Sequence, residues 1–163
     1  MPEASTLRRA ARDRREGKSA STQAGEFVRE EMEHIREGKH GARSTKQAIA
    51  IGLSKARRAG VALGPPKAGS TSARTRRQAQ LDTAAARHPH KPSRRRSRAT
   101  TGALKREGHA AASHGALSRQ AHSAATKRSA ASRSAAARKA ARTKGPVKRA
   151  AAARKAARTR RSG

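Results

Sequence analysis

A mainly α fold, consisting of a small αα-hairpin followed by a long basic tail that is disordered or patchily helical, follows from three observations. Apolar residues recur at helical spacing only in two short segments, both within the first 64 residues; the composition breaks at Gly64-Pro65-Pro66; and beyond the break Ala, Ser, Arg and Lys dominate. Of the residues counted as hydrophobic, 39 are Ala, which leaves 15 larger apolar side chains in 163 residues, 11 of them before residue 65. Burying one such group contributes roughly 1.5–3 kcal/mol, against about 1–2 kcal/mol of backbone entropy for every residue ordered. A single large core is excluded, and one small subdomain is expected. The chain reads as a basic N-terminal segment (1–20), a helical hairpin (21–64) and an Ala/Arg/Lys-rich low-complexity tail (65–163).

The first hairpin helix is expected over residues 22–37, with Thr22 as N-cap and Gly38 as the residue that ends it. Phe27, Val28, Met32 and Ile35 form its apolar stripe at spacings of three and four. After the turn at Gly38-Lys39-His40-Gly41, Ser44 and Gln47 make a capping box that opens a second helix, Thr45 to Ala59. This helix turns Ile49, Leu53 and Ala56 to one side, with Ala48 and Gly52 as small residues that allow another helix to approach. Gly60 stops it, and Val61 packs back on its last turn. The Glu side chains at 26, 30, 31, 33 and 37 face Lys46, Lys55, Arg57 and Arg58 of the second helix. At about 40 residues such a hairpin is marginal, so a homodimer or a protein partner is expected to complete its core.

The tail holds 27 basic and 2 acidic residues, whereas residues 1–64 hold 14 and 8. AAARKAART occurs at 135–143 and again at 151–159, sixteen residues apart with Gly145-Pro146 between the copies. Repeats of this kind imply an array of equivalent binding units. A degraded echo links REGKHGARSTKQA at 36–48 with REGHAAASHGALSRQA at 106–121. Like charges at close spacing resist helix formation, so the tail is expected to order where phosphates neutralise it. The candidate nucleic-acid contacts are Lys91, Arg94, Arg95, Arg96 and Arg98 in the densest basic cluster. In and around the repeats they are Arg138, Lys139, Arg142, Lys144, Lys148, Arg149, Arg154, Lys155, Arg158, Arg160 and Arg161. Binding to a polyanion is favoured because each contacted phosphate releases condensed counterions. With one Phe and no Tyr or Trp, base stacking of single strands has little to work with, which favours double-stranded DNA.

Other chemistries find little support. No Cys is present, so neither disulfides nor thiolate sites arise. The uncharged run from Gln47 to Ser54 is far shorter than the roughly 20 apolar residues of a membrane span, and the amino terminus lacks the apolar region of a secretory signal; a cytoplasmic, nucleoid location is expected. Seven His residues, at 34, 40, 88, 90, 109, 114 and 122, show no spacing with Cys or carboxylate that suggests a metal, and neither cofactor nor enzymatic activity is expected. REGK at 15–18 and 36–39 reads as a helix terminus and turn, not a phosphate loop. Ala48, Ile51 and Gly52 match the first helix and turn of a helix-turn-helix, but Arg58 stands where the recognition helix needs an apolar residue and Gly60 ends that helix early.

Residues 21–66, STQAGEFVREEMEHIREGKHGARSTKQAIAIGLSKARRAGVALGPP, resemble a small, uncharacterised bacterial family often labelled a DNA-binding or plasmid-stabilisation protein. The AAARKAART repeats resemble the tails of bacterial histone-like and linker-histone proteins. The resemblance implies a bacterial source. Together with the charge it leads to the expectation of a non-enzymatic, largely sequence-independent, nucleoid-associated DNA-binding protein acting through the tail. An RNA- or ribosome-associated protein is one alternative. A plasmid-maintenance protein whose hairpin binds a protein partner is another.

Overall fold

Ser19 rather than Thr22 begins the first hairpin helix. Its backbone is extended (φ −60°, ψ 152°) and its hydroxyl accepts from the Thr22 N–H at 3.4 Å, which satisfies a donor that has no partner within the helix. The computed structural model describes residues 2–88 and 93–161. Its helices are α1 (Ala4–Arg15), α2 (Ala20–Arg36), α3 (Thr45–Arg58), α4 (Ala73–Arg87), α5 (Arg94–Lys105), α6 (His114–Thr126) and α7 (Ala130–Arg161), with a short 3-10 turn at Ala110–Ala112 before α6. No strand occurs among the described residues.

Both REGK segments end helices by one hydrogen-bond pattern. Gly17 and Lys18 donate to the carbonyls of Arg14 and Asp13 at the end of α1, and Gly38 and Lys39 to those of Ile35 and His34 at the end of α2. Two carbonyls that would otherwise lack partners are satisfied at each terminus. α3 closes likewise, with Gly60 donating to Arg57 and Val61 to Ala56, and Val61 is buried against the cluster that contains Ala56. At its other end Ser44 accepts from the Gln47 N–H at 3.2 Å, while the Gln47 side chain accepts from the Arg43 N–H at 2.9 Å. The reciprocal arm of the capping box thus lands one residue before the cap.

α2 and α3 come into backbone contact at Gly52, where a Cβ would lie 2.7 Å from the Val28 Cα. Two small apolar clusters flank this contact. One joins Met32, Ile35, Ala42, Ala48, Ala111 and Ala112, with Val28, Ile49 and Leu117 packed against it. The other joins Ala10, Ala24, Phe27, Ala56 and Val61, with Leu53 and Leu63 beside it. Ile35 and Phe27 are fully buried at their centres.

The chain divides into two units between Gln120 and Ala121, and the expectation of a simple hairpin followed by a disordered or patchily helical tail is corrected in both. In the first unit α1 packs on α2, α4 packs on α3, and the turn at Ala110–Ala112 packs on both hairpin helices. α4 is held by Asp82, 3% exposed, whose carboxylate accepts from Ser54 Oγ at 2.6 Å, Arg58 Nε at 2.8 Å and Gln78 Nε2 at 3.1 Å. A buried carboxylate needs such donors, and two of the three lie on α3. The echoed segments 36–48 and 106–121 also meet. Gly41 donates to the Leu104 carbonyl and Ala42 to that of Gly108, the Thr45 hydroxyl donates to Ala111 O at 2.7 Å, and Arg36 Nε donates to Ala112 O at 2.9 Å. A Cβ at Gly41 would overlap the Glu107 carbonyl.

In the second unit α7 is helical through its whole length apart from Gly145 (φ 65°, ψ 170°), with Pro146 directly after it. The extended ψ is what a following proline demands, and Pro146 begins the second half where a missing N–H costs nothing. Ala carries the smallest helix cost and Arg and Lys little more; repulsion of a few tenths of a kcal/mol per like-charge pair does not outweigh that composition. Arg133 reaches back to the carbonyls of Ala125 and Arg128 at 3.5 and 3.3 Å, covering the end of α6.

Two glycines of the hairpin should respond in opposite ways. Gly52→Ala forces α2 and α3 apart at backbone and should lower stability by about 1–3 kcal/mol. Gly25→Ala, on an exposed face of α2 with nothing within 4 Å, should raise it by about 0.5–1 kcal/mol. Urea unfolding followed by circular dichroism measures both, and equal effects would contradict the close contact.

Candidate nucleic-acid interface

α7 carries twelve Lys and Arg residues and no Asp or Glu. Every predicted contact on it, Arg138, Lys139, Arg142, Lys144, Lys148, Arg149, Arg154, Lys155, Arg158, Arg160 and Arg161, is exposed. The two repeats are structurally equivalent. In each, the Thr hydroxyl donates to the carbonyl four residues earlier, Thr143 to Lys139 at 3.0 Å and Thr159 to Lys155 at 3.1 Å. The break at Gly145 assigns one AAARKAART copy to each half of the helix. Beyond Ala, α7 has one apolar residue, Val147, which is 81% exposed. The helix therefore lacks the apolar stripe that would seat it on another helix or in a lipid interface.

Arg94, Arg95, Arg96 and Arg98 are likewise exposed, on the first turns of α5, and Lys91 lies outside the described residues. Sequence reasoning overlooked a further basic face: Arg8, Arg12 and Arg15 of α1, with Ser5 and Arg9, line an open concavity of about 410 Å³. Its signal was the spacing of Arg8, Arg12 and Arg15 at i, i+4 and i+7, which puts them on one side of a helix. Arg9 is tied to Glu26, and Arg12 stands 3.8 Å from Glu16. No helix among the described residues is long and apolar enough to cross a membrane.

The hairpin residues Phe27, Met32, Ile35 and Ala56 are buried, while Val28, Ile49 and Leu53 are half-buried at the edges of the two clusters. Charge enters this contact at one place. Glu30 and Glu31 of α2, 2% and 0% exposed, face Lys55 of α3. The Lys55 Nζ stands 2.6 Å from Glu31 Oε2 and 3.5 Å from Glu30 Oε1, close enough for an ion pair but at angles that leave these oxygens without a hydrogen bond. Glu30 Oε2 accepts from the Glu3 N–H at 3.2 Å. The Glu3 carboxyl is held below its usual range by its hydrogen bond with His34 first and by Lys39 second. The other charges expected to pair across the hairpin go elsewhere. Glu33 pairs with Arg29, Glu37 with Lys39, and Arg58 with Asp82; Arg57 donates to the carbonyls of Leu63 and Gly64.

Residues 15–68 match a family of unknown function, DUF6496. No curated protein and no solved structure matches the chain. The DUF6496 segment runs from the last residue of α1 to just beyond α3. It contains both carboxylates and the lysine of the buried cluster, and it leaves out Asp82, α5 and the α7 repeats. The match thus delimits the hairpin and assigns no activity to it.

Lys55→Met removes the one cation between Glu30 and Glu31. Stranding a buried charge in this way should cost about 3–5 kcal/mol, whereas Lys46→Met on the exposed face of α3 should change stability by less than about 0.5 kcal/mol. Urea titration of the two variants makes the comparison, and similar losses would contradict the role given to the cluster.

Proposed function

We propose that the protein is a non-enzymatic, nucleoid-associated DNA-binding protein that contacts duplex phosphates through α7, with little sequence preference. The observation that carries this reading is the exposed, acid-free series of twelve cations on α7. Sixteen residues of helix extend about 24 Å, and a duplex presents one phosphate charge per about 1.7 Å of its axis, or roughly 14 over that length. Each repeat therefore finds partners for its cations in any register, and contacts of this kind carry no base information. The exposed arginines of α5 and the arginine face of α1 supply additional phosphate contacts. The scarcity of aromatic side chains favours duplex over stacked single strands.

If counterion release drives binding, log K falls linearly with log salt, with a slope of about −0.9 per neutralised phosphate. Replacing Arg138, Lys139, Arg142 and Lys144 together by Gln in the full chain should flatten the slope by up to about 3–4 units, while changing the duplex sequence should leave affinity nearly constant. Fluorescence titrations across a salt series with several unrelated duplexes measure both. An unchanged slope, or a strong preference for one duplex, would overturn the reading.

A further inference from the structure

Beside the Glu30–Lys55–Glu31 contact, the fold brings together three residues that the sequence leaves apart. Glu31 and His34 share one face of α2 at i and i+3. His40 follows six residues later, and the turn that ends α2 at Gly38 brings it back to them. One donor atom from each of Glu31, His34 and His40 lies within 4.8 Å of the other two. The imidazole rings stand edge to face, with centroids 6.1 Å apart, and both are mostly buried, their side chains 13% and 16% exposed.

In the neutral imidazoles, the hydrogen bonds around the rings decide which nitrogen carries the proton. His40 Nδ1 is 3.1 Å from the Gly41 carbonyl; a carbonyl only accepts, so Nδ1 carries the proton and the neutral ring keeps its lone pair on Nε2. His34 Nε2 is 2.9 Å from Glu3 Oε1, which in the same way leaves the lone pair on Nδ1. In that tautomer each ring has one nitrogen held by an oxygen acceptor and a lone pair on the other. Histidines that bind metals have this arrangement, with a carboxylate or carbonyl behind the ligand.

The carboxylate supplies an independent observation. Glu31 is completely buried, yet Oε1 has no hydrogen-bond partner; it lies 3.3 Å from His40 Nε2 without a hydrogen bond between them. Lys55 accounts for Oε2. Two carboxylates share this single lysine, so the buried cluster lacks one positive charge, a costly condition away from water. A cation between Glu31 Oε1 and the two imidazoles would neutralise the excess and give the unpartnered oxygen its ligand.

We propose that Glu31, His34 and His40 form a binding site for a divalent transition-metal ion of the zinc class. Two imidazoles and one carboxylate are an established zinc donor set, with metal–ligand bonds of about 2.0–2.2 Å, and imidazole disfavours magnesium and calcium. Bonds of that length bring tetrahedral donors to roughly 3.4 Å from one another, so the three groups draw inward on binding. With three protein ligands, the site leaves its fourth tetrahedral position to water. It clamps the end of α2 to the segment at residues 38–42, where Gly41 and Ala42 are already joined to Leu104 and Gly108, and Glu3 positions His34 from behind.

Metal-free full chain titrated with Co2+ should show a saturable visible absorption at one ion per chain, displaced by one equivalent of Zn2+. Zn2+ should also raise the thermal midpoint. His40→Gln should lose at least about 10-fold in affinity, and Glu3→Gln, which touches the metal only through His34, about 10-fold. Replacing His88 and His90 together should leave affinity unchanged. The parent spectrum requires no variant to fold, and nucleic acid is absent throughout, so failure here leaves the DNA-binding reading intact. No saturable binding would overturn the proposal. Binding that survives His40→Gln, or that disappears with His88 and His90, would overturn it equally.

Discussion

Lys55 stands between two carboxylates that α2 places side by side, and the α2–α3 contact is organised around this ion pair. Neither Glu30 nor Glu31 can be withdrawn to solvent without separating the helices, because Gly52 on α3 has already brought its backbone against Val28. The apolar groups are few and divided between two clusters on either side. Each cluster is completed from outside the hairpin. Ala10 of α1 closes one, and Ala111 and Ala112 close the other. A chain poor in large apolar side chains thus assembles a folded unit from short alanine contacts and directed polar ones. Asp82 does for α4 what Lys55 does for the hairpin, since one buried charge fixes the relation of two helices.

The same shortage explains the contrast between the units. Within the first, most acidic residues lie close to cations, as Arg9 to Glu26, Lys18 to Asp13 and Arg58 to Asp82. α7 has no carboxylate to set against its twelve cations and no apolar face to bury. Its cations are exposed to solvent, and under the proposed function it is this charge, not the folded hairpin, that meets the polyanion.

Much of the hairpin was legible in the chain. The stripe of Phe27, Met32 and Ile35, the Ser44 cap and the Gly60–Val61 closure are local, and local signals read directly. α1 escaped because its buried face consists of Thr6, Ala10 and Asp13, none of them large and apolar. α4 escaped because its anchor is one aspartate in a basic stretch, whose donors lie 24 and 28 residues earlier. Like-charge repulsion argued for a disordered or patchily helical tail beyond residue 64, whereas the helices there show alanine's preference outweighing it. Of the Glu31, His34 and His40 cluster, only the i, i+3 pair could be read from spacing; the third member depends on a turn that reverses the chain.

The folded hairpin and the proposed nucleic-acid surface on α7 lie in separate units of one chain. Amide hydrogen exchange of the full protein, with and without a duplex of arbitrary sequence, distinguishes the two parts. DNA should slow exchange along α7, in both halves flanking Gly145, and leave the amides of α2 and α3 unchanged. Slowing confined to α2 and α3, with α7 unaffected, would contradict the proposed role of α7.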